Sequence, residues 1–454
     1  MIRPIKILLF TVLAIFLAWA SFAGGQQMRK MVVQRTLHVL PSSFLKSTSL
    51  FAMDSPDANA TSPSETFQEV LQYVNDDYVD PIKDETKLGF GAVKNMLLSL
   101  DDPKTRFLDP DQYKSLQEQM NGVYNGIGAV LTVVKRKAGG IDERRLAIVA
   151  PEPGGPAEKA GLQPGDIITY INNRWVIAYD PRLDLMKLSN LSLESKTYRN
   201  AWNEATKRLT DGMSLPKALD TLTIKDGTPV TLTIERAGVS KPFKVTIDPA
   251  TTQVKQVEFV PLTENVAYLR VTAFDDAATS QFVPDIQKMT QKQLVLDLRD
   301  NTGGVITGNT DGALASFRQL LSELGVEGQV GTVIRKGNVH DPLDIPPGNG
   351  KKFKLVVLIN KGTSNLAELA ADALKEKDGA KLLGSATCGD SCYQILKPLR
   401  DGAAMTLTAG KLLAIDDYDF TDKGIKPDIP MEMAGILNSR DEAVRRALTT
   451  LEKA

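Results

Sequence analysis

The chain has 454 residues, of which 42% are hydrophobic and 24% are charged, so it is long enough for two or three folded domains. The 54 basic and 55 acidic residues leave a net charge of −1, which gives no electrostatic reason to expect nucleic acid as a partner. With only two histidines, His38 and His340, the sequence argues against histidine-based metal sites and against a Ser-His-Asp triad. We therefore expect no metal and no other cofactor.

The first 23 residues have the pattern of a targeting segment. Arg3 and Lys6 precede an apolar run from Ile7 to Ala23, and small residues at the end of this run fit a cleavage before Gly24. The run is long for a cleaved signal peptide and short for a membrane span, so both a signal peptide and a signal anchor stay open. Either one places the rest of the chain outside the cytoplasmic membrane, secreted or membrane-anchored.

A polar, Ser-rich segment over residues 24–61 predicts a linker, and regular structure begins at SPSETFQEVLQYV. Ser62 and Glu65 are spaced for a capping box, with a proline at the first helical position. Helical patterns continue in LGFGAVKNMLLSL and PDQYKSLQEQM. We interpret residues 62–120 as an N-terminal helical region.

The next segment is rich in predicted strands. GGPAEKAGLQPGDIITYINN combines a short helix beginning at Pro156 with a Pro-Gly-Asp turn that leads into a strand. TPVTLTIER alternates apolar and polar residues, as a half-buried strand does. A helical pattern over residues 178–211 interrupts these strands. The sequence thus predicts a small β-rich domain over residues 121–250 with a helical insertion at 178–211.

From residue 251 the pattern becomes mixed α/β. QLVLDLR and KLVVLIN are continuous apolar runs, which are typical of parallel strands buried on both faces. Each run is followed by a glycine-containing turn and a helical pattern, and DEAVRRALTTLEKA closes the chain as an amphipathic helix. The fold class expected for the whole chain is therefore mixed α+β, with an α/β core over residues 251–454.

Five segments, in order, resemble the C-terminal processing peptidases, also called tail-specific proteases. LQYVNDDYVD and SLDDPKTRFLDPDQYKSLQEQMNGVYNGIG resemble the N-terminal block of that family, and GGPAEKAGLQPGDIITYINN resembles its PDZ domain. LVLDLRDNTGG is similar to the family's strand and Gly-Gly turn, with Thr302 in the usual proline place, and TDKGIKPDI resembles its late Gly-Ile-x-Pro-Asp motif. The resemblance covers about residues 62–450 and implies a PDZ domain over 121–250 and a tail-specific protease core over 251–454.

The resemblance also implies a catalytic dyad, a serine nucleophile with a lysine general base. The family's nucleophile motif falls on GTSNLAE, where Asn365 occupies the serine position. The family's lysine lies 25 residues later, and this position is Asp390 in TCGDS. Gln394 matches the family's assisting glutamine four residues further on. Both members of the dyad are therefore substituted.

These substitutions predict an inactive site, because an amide has no useful nucleophilicity. A hydrogen bond between the Asn365 and Asp390 side chains would satisfy both groups, which is a hypothesis about the pocket. The alternative is an active enzyme that uses a displaced serine, Ser364 or Ser391, with Lys361 or Lys381 nearby in sequence. A shift of one residue points a side chain elsewhere, which is the argument against this alternative.

Three further groups of residues are candidates for function. The resemblance implies that Gly303 and Gly304 contribute a backbone N–H to an oxyanion site. The glycine-rich loop before the PDZ-like motif fits a site for a peptide carboxylate, and it consists of Gly126, Ile127, Gly128 and Ala129. The two cysteines, Cys388 and Cys392, bracket Asp390, and in an oxidising compartment such a pair favours a disulfide.

The sequence therefore predicts an inactive member of a serine-type peptidase family. Its expected partners are the C-termini or unfolded segments of extracytoplasmic proteins, and the N-terminal segment provides contact with the membrane. Two rival functions stay open, a working serine endopeptidase and a structural partner of an active homologue in a homo- or hetero-oligomer.

Overall fold

The computed structural model describes residues 62–82, 84–138, 140–188, 195–223, 228–307, 312–348, 350–431 and 436–453. The predicted targeting segment and linker, residues 1–61, lie outside these residues. Within the part of the chain that is described, no helix is both long enough and apolar enough to cross a membrane. The described residues divide into two units, of which one ends at Gly89 and the other begins at Phe90.

The first helix begins where the sequence predicts. Helix α1 spans Pro63–Asp77 and has the expected capping box, because the Ser62 N–H donates to Glu65 (3.0 Å) and the Glu65 N–H donates to Ser62 (3.3 Å). Helix α2 spans Glu85–Leu98. The short strand β1, Arg106–Leu108, is followed by helix α3, Pro110–Met120.

The β-rich domain is built on one antiparallel sheet in the order β3-β4-β5-β7-β8. Its strands are β3 (Ala129–Ala138), β4 (Ile141–Pro151), β5 (Ile167–Ile171), β7 (Val230–Glu235) and β8 (Phe243–Ile247), with β6 (Arg174–Trp175) paired to β5. Besides the insertion, the domain contains helices α4 (Pro156–Lys159) and α6 (Leu215–Thr223). Strands β2 (Val123–Tyr124) and β9 (Thr252–Gln253) form a separate antiparallel pair. Strand β3 is at the edge of the sheet, so one side of its backbone is free to pair with an added strand.

The predicted insertion consists of a 3₁₀ helix, Pro181–Leu188, and helix α5, Lys196–Thr210. The Arg208 guanidinium lies 4.0 Å from the centre of the Trp175 ring, which joins α5 to the β-rich domain. The insertion is thus held against the domain that it interrupts.

The core contains a six-stranded sheet in the order β10-β11-β12-β15-β16-β19. Its strands are β10 (Val257–Pro261), β11 (Val266–Val271), β12 (Gln293–Asp297), β15 (Lys354–Ile359), β16 (Lys381–Gly384) and β19 (Ile429–Pro430). All neighbours after β10 are parallel, and β12 and β15 confirm the two predicted apolar strands. Helices α7 (Asp276–Lys288), α8 (Gly312–Glu323) and α9 (Leu366–Asp378) pack on one face, and α10 (Ile436–Lys453) packs on the other.

A second, antiparallel sheet in the core was not predicted from the sequence. It consists of β13 (Gly328–Arg335), β14 (Val339–Ile345), β17 (Cys392–Pro398) and β18 (Ala404–Leu413), together with β1. Strand β1 pairs with β18, with Arg106 opposite Thr406. This pairing brings residues from the N-terminal region next to the loop that precedes β17.

Candidate active site

The candidate nucleophile position lies at a sharp turn between β15 and α9. Asn365 is the N-cap of α9 and has φ 55° and ψ −121°, a conformation that residues other than glycine rarely adopt. The Gly-Gly turn supports it, because a Cβ on Gly303 would lie 2.8 Å from the Leu366 nitrogen and 3.0 Å from the Asn365 Cβ. This tight packing holds the Asn365 side chain at the wall of a cavity.

The Asn365 side chain is held by the main chain of the neighbouring loop. Its Nδ2 donates to the Cys392 carbonyl (2.7 Å) and to the Asp390 carbonyl (3.2 Å). The expected hydrogen bond between the two side chains is therefore wrong, because the Asn365 amide bonds the backbone of residue 390. An amide in this position is a hydrogen-bond donor with no hydroxyl to activate.

The Asp390 carboxylate is paired with Lys104, a residue that the sequence analysis did not identify. The Lys104 Nζ forms an ion pair with Asp390 Oδ1, which also accepts the Cys392 N–H (3.1 Å). The Lys104 carbonyl accepts from Gln394 Nε2 (2.5 Å) and from the Thr406 hydroxyl (2.8 Å). Burial is the largest single effect and lowers the pKa of Lys104, but the Asp390 carboxylate, with smaller effects of Cys392 and Cys388, raises it by more in total. The amine is therefore protonated.

Glu368 joins the turn at Asn365 to the loop that carries Asp390. Its buried carboxylate accepts the backbone N–H groups of Asn365 (2.9 Å), Gly389 (2.7 Å) and Asp390 (2.8 Å), and also the Thr387 hydroxyl (2.5 Å). Burial raises the pKa of Glu368 and these hydrogen bonds lower it. Burial has the larger effect, so the pKa is raised to about 7. One side chain thus fixes positions 365 and 390 relative to each other.

The displaced serines have other partners. The Ser364 side chain is 3% exposed and hydrogen-bonds the Cys388 thiol, and the Ser391 hydroxyl lies 2.6 Å from that of Thr421. The two lysines proposed beside them, Lys361 and Lys381, have exposed side chains. The geometry does not bring either serine together with either lysine as a dyad.

The predicted disulfide is absent from the structure, because Cys388 and Cys392 are both free thiols. Each thiol has its own partner, since Cys388 contacts Ser364 whereas Cys392 contacts Lys104. Burial raises the pKa of Cys388 to about 12, so this thiol is protonated and a poor nucleophile.

The backbone N–H of Gly303 and that of the candidate nucleophile position both already have acceptors. The Gly303 N–H donates to Asn301 Oδ1 (2.8 Å), and the Asn365 N–H donates to Glu368. Gly304 lines the cavity with φ 79°, and a Cβ there would lie 2.0 Å from the Phe274 carbonyl oxygen. Only Gly304 of the predicted pair therefore faces the space where a peptide would lie.

The predicted carboxylate-binding loop divides into structural and cavity-facing residues. Gly126 and Gly128 have φ values of 83° and 67°, which explains why glycine occupies both positions. Ile127 is 1% exposed and its N–H donates to the Leu222 carbonyl (3.0 Å), so its proposed contact with a peptide is wrong and it belongs to the domain core. Ala129 begins β3 and lines the cavity.

The groove of the β-rich domain and the candidate active site belong to one cavity of about 320 Å³. Its wall combines the edge strand β3 with the facing helix α6, helix α3 and the site residues. The lining residues include 129–133 of β3, Leu219, Asp220 and Thr223 of α6, Leu116 of α3, and the site residues Asn365, Asp390 and Gln394. A peptide paired with β3 would lie in the same space as Asn365.

This arrangement defines a known class of protein. The profile of Peptidase family S41 matches residues 265–431, and that of a PDZ domain matches residues 148–181. The chain therefore carries an S41 peptidase domain and a PDZ domain and is homologous to the CtpA carboxy-terminal processing proteases.

Two bacterial relatives and one solved structure illustrate this similarity. The chain is 28% identical over 365 residues to the carboxy-terminal processing protease CtpA of Bacillus subtilis, covering 80% of this chain and 67% of that protein. It is also 28% identical over 374 residues to the carboxy-terminal-processing protease of Bartonella bacilliformis, covering 81% and 74%. The structure of the photosystem II D1 C-terminal processing protease superposes with a TM-score of 0.57 at 24% identity, covering 84% of this chain and 90% of that one. The fold is thus that of a C-terminal processing protease.

Proposed function

We propose that this protein is a catalytically inactive S41 homologue that binds the C-terminal segments of other proteins and does not cut them. The observation that carries the proposal is the state of the nucleophile position. Asn365 stands there, and its amide donates to two backbone carbonyls. The amine that reaches the site, Lys104, is paired with Asp390 and protonated, so it is unsuited to act as a general base.

Peptide binding requires none of the missing catalytic groups. An added strand would bond the backbone of β3, and the loop around Gly128 and Ala129 would hold the terminal carboxylate through N–H groups. The continuity of this groove with the candidate site supports the same ligand for both. The ligands that we propose are free C-termini or unfolded segments of extracytoplasmic proteins. The proposed location outside the cytoplasmic membrane rests on the sequence of residues 1–23.

Proteolysis is tested by incubating the purified chain, residues 24–454, with an unfolded protein and analysing the products by mass spectrometry. We expect no new fragments, while an active carboxy-terminal processing protease in parallel cuts the same protein. Fragments that disappear in Ser364→Ala but persist in Asn365→Ala would establish the alternative, a serine endopeptidase with a displaced nucleophile.

Binding is tested by fluorescence anisotropy with labelled peptides. We expect a peptide with a free C-terminus to bind roughly tenfold more tightly than the same peptide with a C-terminal amide, because the amide removes the charged acceptor. Equal binding of the two peptides would contradict recognition of C-termini. Binding of neither peptide would favour the third function, a structural partner of an active homologue.

A further inference from the structure

The cavity contains a second cation, Arg106, which belongs to neither the dyad positions nor the carboxylate-binding loop. Arg106 is the first residue of β1 and has an exposed side chain, whereas Phe107 and Leu108 after it are buried. Its backbone N–H donates to the Thr406 hydroxyl (3.3 Å), and its Cα pairs with that of Thr406. The anchored strand therefore fixes the base of a side chain that lines the cavity.

The two basic residues that line the cavity differ in their partners. Lys104 is neutralised by Asp390, as described above. In the part of the chain that the structure describes, no carboxylate lies within 4 Å of the Arg106 guanidinium. The carboxylate that acts electrostatically on Arg106 is that of Asp220 on α6. One oxygen of this carboxylate accepts a hydrogen bond from Gln112 Nε2 (2.6 Å).

Arg106 is accessible within the cavity but surrounded by protein. This enclosure lowers the pKa of its guanidinium, while the Asp220 carboxylate raises it. A guanidinium remains charged in any such setting, so the enclosure costs free energy that an anionic ligand would offset. A carboxylate is the best match, because it accepts two parallel hydrogen bonds from the guanidinium fork.

We propose that Arg106 binds an Asp or Glu side chain of the bound peptide, upstream of its free C-terminus. This inference rests on the proposed function, because it assumes a peptide paired with β3. The terminal carboxylate would lie at Gly128 and Ala129, where β3 begins, and the chain would then run along the strand. Arg106 lines the same cavity as strand β3 and lies near Asp220 of α6, so a peptide paired with β3 would pass within its reach.

The test compares Glu with Gln at each of the four positions before the C-terminal residue, in peptides that are otherwise identical. Anisotropy gives the dissociation constant for the wild-type chain and for the variants Arg106→Gln, Arg106→Lys and Asp220→Asn. At one of these positions, we expect the wild type to bind the Glu peptide at least roughly tenfold more tightly than the Gln peptide. This gain is typical of a charge-assisted hydrogen bond. Arg106→Gln should abolish this preference, Arg106→Lys should keep part of it, and Asp220→Asn should keep or increase it.

Several outcomes would overturn the inference. Equal affinity of the wild type for Glu and Gln peptides at all four positions would exclude acidic recognition while leaving C-terminal binding intact. A Glu preference that survives in Arg106→Gln would assign it to another residue. An equal loss of affinity for both peptides in Arg106→Gln, with unchanged thermal unfolding, would give Arg106 no role in selection. Absence of binding by every peptide would refute the proposed function as well.

Discussion

The Lys104 ammonium group and the Asp390 carboxylate form an ion pair across 286 residues of the chain. The pair joins the loop before β1 to the loop before β17, at the position where the sequence resemblance implies the family's lysine. It leaves Asp390 satisfied and Lys104 protonated. The same ion pair therefore stabilises the site and keeps its amine from being neutral.

Removal of either partner should destabilise the fold. The two side chains are 21% and 24% exposed, so each is only partly solvated. For Lys104→Met and Asp390→Asn we expect losses of about 1–3 kcal/mol each, and a coupling of about 1–2 kcal/mol in the double variant. Urea unfolding of the wild type, both single variants and the double variant gives these values.

A more exposed ion pair provides the control for this cycle. Lys94 and Asp109 lie 3.3 Å apart and are 38% and 29% exposed. Lys94→Met and Asp109→Asn, in which asparagine retains the helix cap, should show a coupling of about 0.5 kcal/mol. If the Lys104–Asp390 coupling is no larger than this, the ion pair does not organise the site.

The turn at Asn365 should be sensitive to Gly303. At φ 81°, an alanine is strained by about 1–2 kcal/mol, and its Cβ would also lie within 3.0 Å of three atoms of the turn. Gly328 is a matched control, because it has φ 79° and no heavy atom within 4 Å of a new Cβ. In thermal or urea unfolding, we expect Gly328→Ala to cost about 1–2 kcal/mol and Gly303→Ala about 3–4 kcal/mol. Equal losses would mean that the Gly-Gly turn does not support the nucleophile position.

Stability should depend on pH through Glu152, which is buried between the PDZ domain and the core. Burial and the Asp300 carboxylate raise its pKa from 4.5 to about 8. Between pH 4.5 and 8 the Glu152 carboxyl is protonated in the folded chain and ionised in the unfolded chain. The free energy of unfolding therefore falls as pH rises through this range. In urea unfolding at a series of pH values, the free energy of unfolding should fall less steeply with pH in Glu152→Gln than in the wild type. The difference in slope should be up to about 1.4 kcal/mol per pH unit. An unchanged slope in Glu152→Gln would refute the assignment.

The sequence was most informative where structure is local. Continuous apolar runs predicted β12 and β15, and the spacing of Ser62 and Glu65 predicted the cap of α1. The match to the family's motifs also predicted that Asn365 and Asp390 are neighbours, and Asn365 Nδ2 donates to the Asp390 carbonyl in the structure. These features depend on periodicity and on short fixed spacings.

Features that depend on contacts between distant segments were not predictable. Lys104 is unremarkable in PKTRF, and only the pairing of β1 with β18 brings it to Asp390. The disulfide prediction was wrong for a related reason, because Ser364 and Lys104 provide the two thiols with separate partners. The backbone role of Ile127 likewise depends on its bond to Leu222.

Lys104 also suggests how activity could be gained. Asn365→Ser restores a hydroxyl. In this variant the Asp390 carboxylate still keeps the Lys104 amine protonated, so we expect no peptide cleavage. Adding Asp390→Asn removes the carboxylate that contributes most to raising the pKa of Lys104, so burial, which lowers this pKa, is opposed less. A neutral Lys104 amine in the same cavity could then accept the serine proton.

We therefore expect slow cleavage of an unfolded protein by the Asn365→Ser, Asp390→Asn double variant, with a rate that rises with pH as Lys104 loses its proton. Mass spectrometry of the products measures it, and adding Lys104→Met to the double variant should abolish it. Cleavage by Asn365→Ser alone would show that the ion pair does not suppress the base. Cleavage that persists without Lys104 would mean that another group activates the serine, whereas inactivity of the double variant with its fold intact would show that the Lys104 amine cannot serve residue 365.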